Sequence, residues 1–270
     1  MYSLHNGDCL QVLPSIPSGS IDAIITDLPY GTTACKWDTI IPFKPMWDQV
    51  KRVLKPNGVF ITTASQPFTT ELIHSNIKFF KYSLVWHKSH AANFLNAKYM
   101  PLIKHEDILV FAKGSTTYNP QIAKGAKKMN RSGAKLYNRE DSSIYGSKPA
   151  ILANVRNDEY QPTSVLEFSA GARMNMVHPT QKPLDLYRYL IRTYTNEGET
   201  VLDICMGSGT TIEAAIIEGR YSIGIEKEQG FYSIAEKRAK QAVLQPNFFT
   251  PSNTASTRQG QVAPQFDNFE

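Results

Sequence analysis

Cysteine is scarce in this chain. Cys9, Cys35 and Cys205 are the only three, and no two form a CxxC pair. Such spacing argues against a disulfide framework or a zinc site and fits a reducing compartment. No apolar run is long enough to cross a bilayer, and the opening MYSLHNGD lacks the basic-then-apolar pattern of a secretory signal. No membrane partner is expected, and a cytoplasmic location is. Acidic residues are in the minority, 24 Asp and Glu against 29 Lys and Arg, for a formal net charge of +5. That excess tolerates a polyanionic partner without proving one. There is no internal repeat, and no Gly-Lys-Ser/Thr that would mark a phosphate loop.

What is present centres on Ile21–Gly31, IDAIITDLPYG. A short isoleucine-rich run predicts a strand buried on both faces. Leu28, Pro29, Tyr30 and Gly31 end it abruptly. Asp27, a rigid turn and an aromatic ring are therefore presented together at the C-terminal edge of a sheet, where open α/β sheets bind ligands. An acceptor beside a stacking ring suits a flat molecule carrying an exocyclic amino group.

Around this stretch, strand patterns at 2–4, 59–64, 82–87, 107–112, 200–204 and 221–225 alternate with helical spacing at 42–54, 68–74, 184–194, 212–217 and 231–243. The alternation predicts a mainly parallel sheet with helices on both faces. Residues 113–175 differ in composition. Lys124, Lys127, Lys128, Arg131, Lys135 and Arg139 are interleaved there with tyrosines. This suits phosphate contacts and base stacking, or equally a solvated insertion. From Gln245 onward Gln, Asn, Ser, Thr and Pro dominate, and a disordered tail is expected.

The segment 200–226 reads strand, glycine-rich turn, helix, strand, acid, a nucleotide-binding arrangement. Gly207 and Gly209 let backbone approach a ligand, and Glu226 could hold two ribose hydroxyls. Ile212 stands where a dinucleotide fingerprint has its third glycine. Asp203, just before the turn, would repel a pyrophosphate and attract an ammonium or sulfonium group. S-adenosylmethionine fits this pattern better than a nicotinamide dinucleotide.

Three boxes together resemble a known family. Asp27-Leu28-Pro29-Tyr30 is similar to the D-P-P-Y box of amino-methylating (N6-adenine/N4-cytosine) DNA methyltransferases. Residues 203–211, DICMGSGTT, resemble their cofactor loop, and His178–Pro183 the segment preceding it. Catalytic box, basic region, then cofactor loop is the order of the beta subgroup. The resemblance implies a doubly wound, mainly parallel seven-stranded methyltransferase-type sheet, circularly permuted so that the N-terminal strand lies beside the strand ending at Glu226. It implies a catalytic half at 1–112, a target-recognition region at 113–175 and a cofactor half at 176–244. Asp27, Leu28, Pro29 and Tyr30 would be catalytic. Asp8, Cys9, His178, Thr180, Lys182, Asp203, Cys205, Gly207, Ser208, Gly209, Thr210, Thr211, Glu226 and Lys227 would bind the cofactor, with Asp8 on its adenine amino group and Lys182 on its methionine carboxylate. Leu28 replaces the family's first proline and keeps the carbonyl that accepts an N–H; Cys205 replaces a phenylalanine.

An aromatic amine is a weak nucleophile, so Asp27 and the Leu28 carbonyl would accept its two N–H groups and turn the lone pair toward the methyl carbon. The target base lies inside a duplex and has to be flipped out, with Tyr30 as the stacking face. Trp37 covers the base, fills the gap, or is an ordinary half-buried tryptophan. In the family it resembles, aspartate at the head of the box leans toward adenine, with cytosine N4 as the alternative. Double-stranded DNA is the expected partner, RNA stays open, and a restriction endonuclease and a second copy of the chain are further candidates for a bacterial or phage-encoded enzyme. Two other classes remain: a nucleic-acid-binding protein of the same fold without catalysis, and a nicotinamide-dependent dehydrogenase.

Overall fold

A computed structural model of the chain describes residues 1–33, 35, 38–124, 159–169 and 182–244. Trp37, Lys127, Lys128, Arg131, Lys135, Arg139, His178, Thr180 and the tail from Gln245 lie outside the described residues. Among the described residues, ten strands and six α-helices follow in chain order: β1 (Tyr2–Asn6), α1 (Cys9–Val12), β2 (Ile21–Thr26), α2 (Phe43–Val53), β3 (Leu54–Ala64), α3 (Phe68–Ser75), β4 (Phe80–Ala92), β5 (Ile103–Ala112), β6 (Ala123–Lys124), β7 (Glu159–Tyr160), β8 (Val165–Phe168), α4 (Leu184–Tyr194), β9 (Thr200–Asp203), α5 (Thr210–Ile217), β10 (Tyr221–Glu226) and α6 (Gln229–Leu244).

The main sheet runs β1-β10-β9-β2-β3-β5-β4-β8. From β1 to β3 every pairing is parallel; β5 is antiparallel to both β3 and β4. The N-terminal strand pairs with β10 along its whole length, Tyr2 opposite Ser222 and Asn6 opposite Glu226, as the permuted order requires. Two features go beyond the sequence expectation. β4 and β5 form a long antiparallel arm, and β8 adds an eighth strand parallel to β4.

β2 is central, and all six of its residues are buried. Ile24 packs into one apolar layer with Trp47, Phe60 and Phe111 beneath α1, α2 and α3. Ala23 and Ile25 face the opposite layer, against Tyr187, Leu190 and Ile191 of α4 and Ala214 of α5. A strand between two helical layers has no face open to water, which is why its sequence is apolar apart from Asp22 and Thr26, each of which has a partner. Each large side chain buried this way contributes roughly 1.5–3 kcal/mol. On α2, Met46, Trp47, Val50 and Val53 are buried, one stripe of a 3.6-residue repeat. Pro56-Asn57-Gly58 loops out within β3, so pairing with β2 shifts between Ile21–Leu54 and Ala23–Val59.

Asp22 is buried inside this core. Both its oxygens accept from Lys55 Nζ at 2.8 Å, and Oδ2 also accepts from the Thr200 N–H at 2.9 Å. The charge is thus paired, and it ties β2 to the start of β9. Among the described residues, no helix is long and apolar enough to cross a membrane.

Candidate active site

The parallel strands all point their C-terminal ends to one edge. From β9 the chain proceeds outward to β10 on one side, while β2 and β3 lie on the other, so a crevice opens at that edge between β9 and β2. Asp203 and Asp27 stand at the two lips. Thr26, the last residue of β2, donates its hydroxyl to Asp203 Oδ1 at 2.7 Å. The two acids, 176 positions apart in sequence, line one cavity of about 1410 Å³.

Asp27 is held by three donors. Tyr30 Oη donates to Oδ1 at 2.8 Å, the Thr63 hydroxyl donates to the same oxygen, and Lys182 Nζ donates to Oδ2 at 2.7 Å. Lys182 also lies 3.3 Å from Glu106, which in turn pairs with Lys88. Burial alone would lower the Lys182 ammonium, but the carboxylates of Asp27 and Glu106 outweigh it and hold the group above the usual lysine value. Lys182 therefore faces the Asp27–Tyr30 turn, engaged by two carboxylates. A carboxylate offers about four lone-pair sites; with three taken, Asp27 keeps one for an incoming N–H. Burial and the nearby Asp27 charge push the Tyr30 phenol well up, so it remains a donor. The Tyr30 ring stacks on Phe68, centroids 5.2 Å apart, and lines the cavity.

The turn after Tyr30 is fixed by Asp38, whose carboxylate accepts the backbone N–H groups of Gly31, Thr32 and Thr33 at 2.7–2.9 Å. Burial would raise its pKa, yet these bonds outweigh it and lower it. Gly31 has φ +68°, and a Cβ there would meet Ile40 at 2.9 Å.

On the other lip, burial pushes Asp203 up to about 6 despite hydrogen bonds from Thr211, Thr26 and the Cys205 N–H. Glu226 Oε2 accepts the Gly207 N–H at 2.9 Å and Oε1 the Glu228 N–H at 2.7 Å, while burial raises its pKa. Arg238 of α6 braces the glycine turn from outside, donating to the Ser208 carbonyl at 2.8 Å, its hydroxyl at 2.9 Å and the Thr210 hydroxyl at 3.1 Å. Asp8 Oδ1 caps α1 through the Leu10 N–H at 3.0 Å, and Oδ2 lies 3.4 Å from Lys227 Nζ. Cys9 and Cys205 share a thiol–thiol hydrogen bond that pushes Cys205 up and lowers Cys9.

Of the described residues singled out from sequence, the cavity is lined by Asp8, Cys9, Asp27, Leu28, Pro29, Tyr30, Lys182, Asp203, Cys205, Gly207, Ser208, Thr210, Thr211, Glu226 and Lys227. Gly209 is not among them. It begins α5 at φ +81°, and a Cβ there would strike Ala235 Cβ at 2.8 Å, so its role is helix–helix approach. Lys124 is exposed on β6, paired with Glu159 of β7, and does not line the cavity. Sequence reasoning missed Thr63, Glu106, Lys88 and Asp38. The first could have been found as a hydroxyl near the tip of the strand predicted at 59–64.

This set of acceptors suits a cationic nucleoside. One buried acid faces the crevice, a second acid holds the glycine turn, and the turn itself follows β9. Comparison with known proteins gives the same direction. The chain is 28% identical over 249 residues to type II methyltransferase M.HpaI of Haemophilus parainfluenzae, covering 86% of this chain and 72% of that one. It is 29% identical over 254 residues to DNA adenine methyltransferase YhdJ of Escherichia coli K12, covering 87% and 82%. Its fold matches the crystal structure of an M1.HpyAVI–SAM complex with a TM-score of 0.59 at 23% identity, covering 88% of this chain and 98% of that one. A family model described as DNA methylase matches residues 21–237. With that match spanning most of the sheet and both lips of the crevice, the chain belongs to the N6/N4 DNA methylase family.

Proposed function

We propose that this protein transfers the methyl group of S-adenosylmethionine to the N6 amino group of an adenine flipped out of duplex DNA. The observation that carries the proposal is the meeting of Asp27 and Asp203 across one crevice, joined through Thr26. When bound, the cofactor supplies an electrophilic methyl group on a sulfonium. Asp203 would sit on its cationic side, and Glu226 would accept from the ribose hydroxyls while keeping the glycine turn in place. Asp27 uses its remaining acceptor site on one N–H of the target amine, and the Leu28 carbonyl takes the other. Thr63, Tyr30 and Lys182 keep the Asp27 carboxylate in one orientation, so positioning rather than covalent chemistry lowers the barrier. Aspartate at position 27 supports adenine, as does the likeness to a protein named as a DNA adenine methyltransferase. The likeness to proteins named type II methyltransferases supports a DNA-modification role, with a restriction endonuclease as a candidate partner.

The test is expression in a host lacking DNA methylation, followed by nucleoside mass spectrometry. N6-methyladenine is expected, and it should vanish with Asp27→Ala while that variant still binds the cofactor. N4-methylcytosine without N6-methyladenine would overturn the choice of base, and undiminished transfer by Asp27→Ala would overturn the mechanism.

A further inference from the structure

The β4–β5 arm reaches past the sheet and forms one wall of the active-site cavity through Lys88, His90, Asn93 and Phe94. Its tip carries an unusual surface. Phe94 is 72% exposed, Leu95 80% and Tyr99 86%, with Met100 and Leu102 exposed beside them. Large side chains clustered in water mark an interaction site more often than chance.

This tip is built rather than slack. Asn93 takes a left-handed conformation, φ 67° and ψ 34°, and opens a turn of 3-10 helix over Phe94–Asn96. Asn96 Nδ2 donates to Asn93 Oδ1 at 2.6 Å, and the Asn96 N–H to the Asn93 carbonyl at 3.0 Å. The Asn96 carbonyl accepts from both Tyr99 and Met100, at 2.9 and 3.0 Å. With these backbone groups satisfied locally, the apolar side chains can be held outward at little further entropic cost.

Charge indicates the partner. Between Glu71 and Glu106 the chain has no acidic residue, but it carries Lys78, Lys81, Lys88, Lys98 and Lys104 and four histidines. An arm whose outer part, residues 89–105, carries basic side chains and no acid and ends in an apolar knob fits a polyanion with flat apolar faces inside it. Duplex nucleic acid has both, and apolar wedges between base steps are a known way to hold one open.

We infer that the tip of the β4–β5 arm, Phe94 to Tyr99, is a wedge that enters the base stack of duplex DNA and occupies the gap left by the extruded base. The inference rests on the base-flipping methyltransferase reading and adds to it the element that opens the duplex. Extrusion leaves an unstacked hole that costs a few kcal/mol to keep empty. Filling it from the rim of the same cavity couples opening of the stack to capture of the base.

The test uses the double variant Leu95→Ala/Tyr99→Ala in the full chain. Methylated sites are first mapped on unmethylated bacterial genomic DNA with wild-type protein. Two oligonucleotide duplexes are then compared, one fully paired and one with an abasic site opposite the target base, where the stack is already open. Loss of aromatic or apolar stacking predicts a fall in kcat/KM of about tenfold or more on the paired duplex. On the abasic duplex the loss should be about threefold or less, with cofactor affinity and melting temperature unchanged. An equal loss on both duplexes, or no loss on either, would overturn the wedge. So would a loss that tracks dissociation of a dimer in light scattering, which would assign the tip to contact between two copies. No transfer by wild-type protein to any DNA would instead overturn the methyltransferase reading, and the wedge with it.

Discussion

Asp203 provides a pH dependence whose sign differs for stability and for cofactor binding. Its carboxyl is 2% exposed, and burial lifts it from 3.8 to about 6. The folded protein thus holds this proton more tightly than the unfolded chain does. For this group, stability without cofactor is greatest below the unfolded value and declines as pH rises toward 6, by about 3 kcal/mol in all. Binding of a cationic cofactor runs the other way, because it requires the ionised form. About nine-tenths of Asp203 is protonated at pH 5 and about one-tenth at pH 7, so the dissociation constant should be about tenfold larger at pH 5. Calorimetry in buffers of different ionisation enthalpy should find about one proton released per cofactor bound at pH 5 and almost none at pH 7. Burial also raises Glu226, with the same sign, so Asp203→Asn separates the two. That variant should lose most of the pH dependence, bind about 10–100-fold more weakly at pH 7 as a charge-assisted contact is removed, and melt higher without cofactor. A dissociation constant that stays flat from pH 5 to 7, or wild-type affinity in Asp203→Asn, would refute the placement of the cation beside this acid.

The remaining expectations concern the glycine turn and its support. Glu226→Ala removes the acceptor of the Gly207 and Glu228 N–H groups together with the proposed ribose contact; titration calorimetry should show affinity falling about tenfold or more, while Glu226→Gln retains part of it. Gly224→Ala would place a Cβ 2.3 Å from Met206 Sδ and 2.9 Å from Ile212 Cδ1. Such overpacking should cost about 1–3 kcal/mol, seen as a lower melting temperature, and an unchanged one would mean the loop over β10 is looser than its packing shows.

The legible parts of this molecule were those set by local pattern. β2 was readable because a strand buried on both faces is mostly apolar, here interrupted only by Asp22 and Thr26. α2 and α4 were readable because one stripe of each meets the sheet. The two lips of the crevice could be placed because an acid ending a strand, followed by a turn, always lies at the C-terminal edge of a parallel sheet. What escaped depended on register and on contacts distant in sequence. Glu106 reaches Lys88 only because β4 and β5 are antiparallel with Trp86 opposite Glu106, which the intervening polar-apolar stretch does not announce. β8 has four residues, of which Leu166 alone is buried, so nothing separated it from the basic segment around it. Asp38 looked like one more polar loop residue. Its importance comes from three backbone N–H groups that converge on it only when the turn is folded.

The pairing of β1 with β10 has a consequence for biosynthesis. Asn6 and the Glu226 carbonyl it donates to are 220 residues apart, so β1 has to wait for β10 to be made. At about 5–20 residues per second, the delay is roughly 10–45 s, during which the opening strand has no edge to join. The sheet closes only once β10 has been made, and a chain stalled before residue 221 would lack the edge to which β1 binds and the carboxylate that braces the glycine turn.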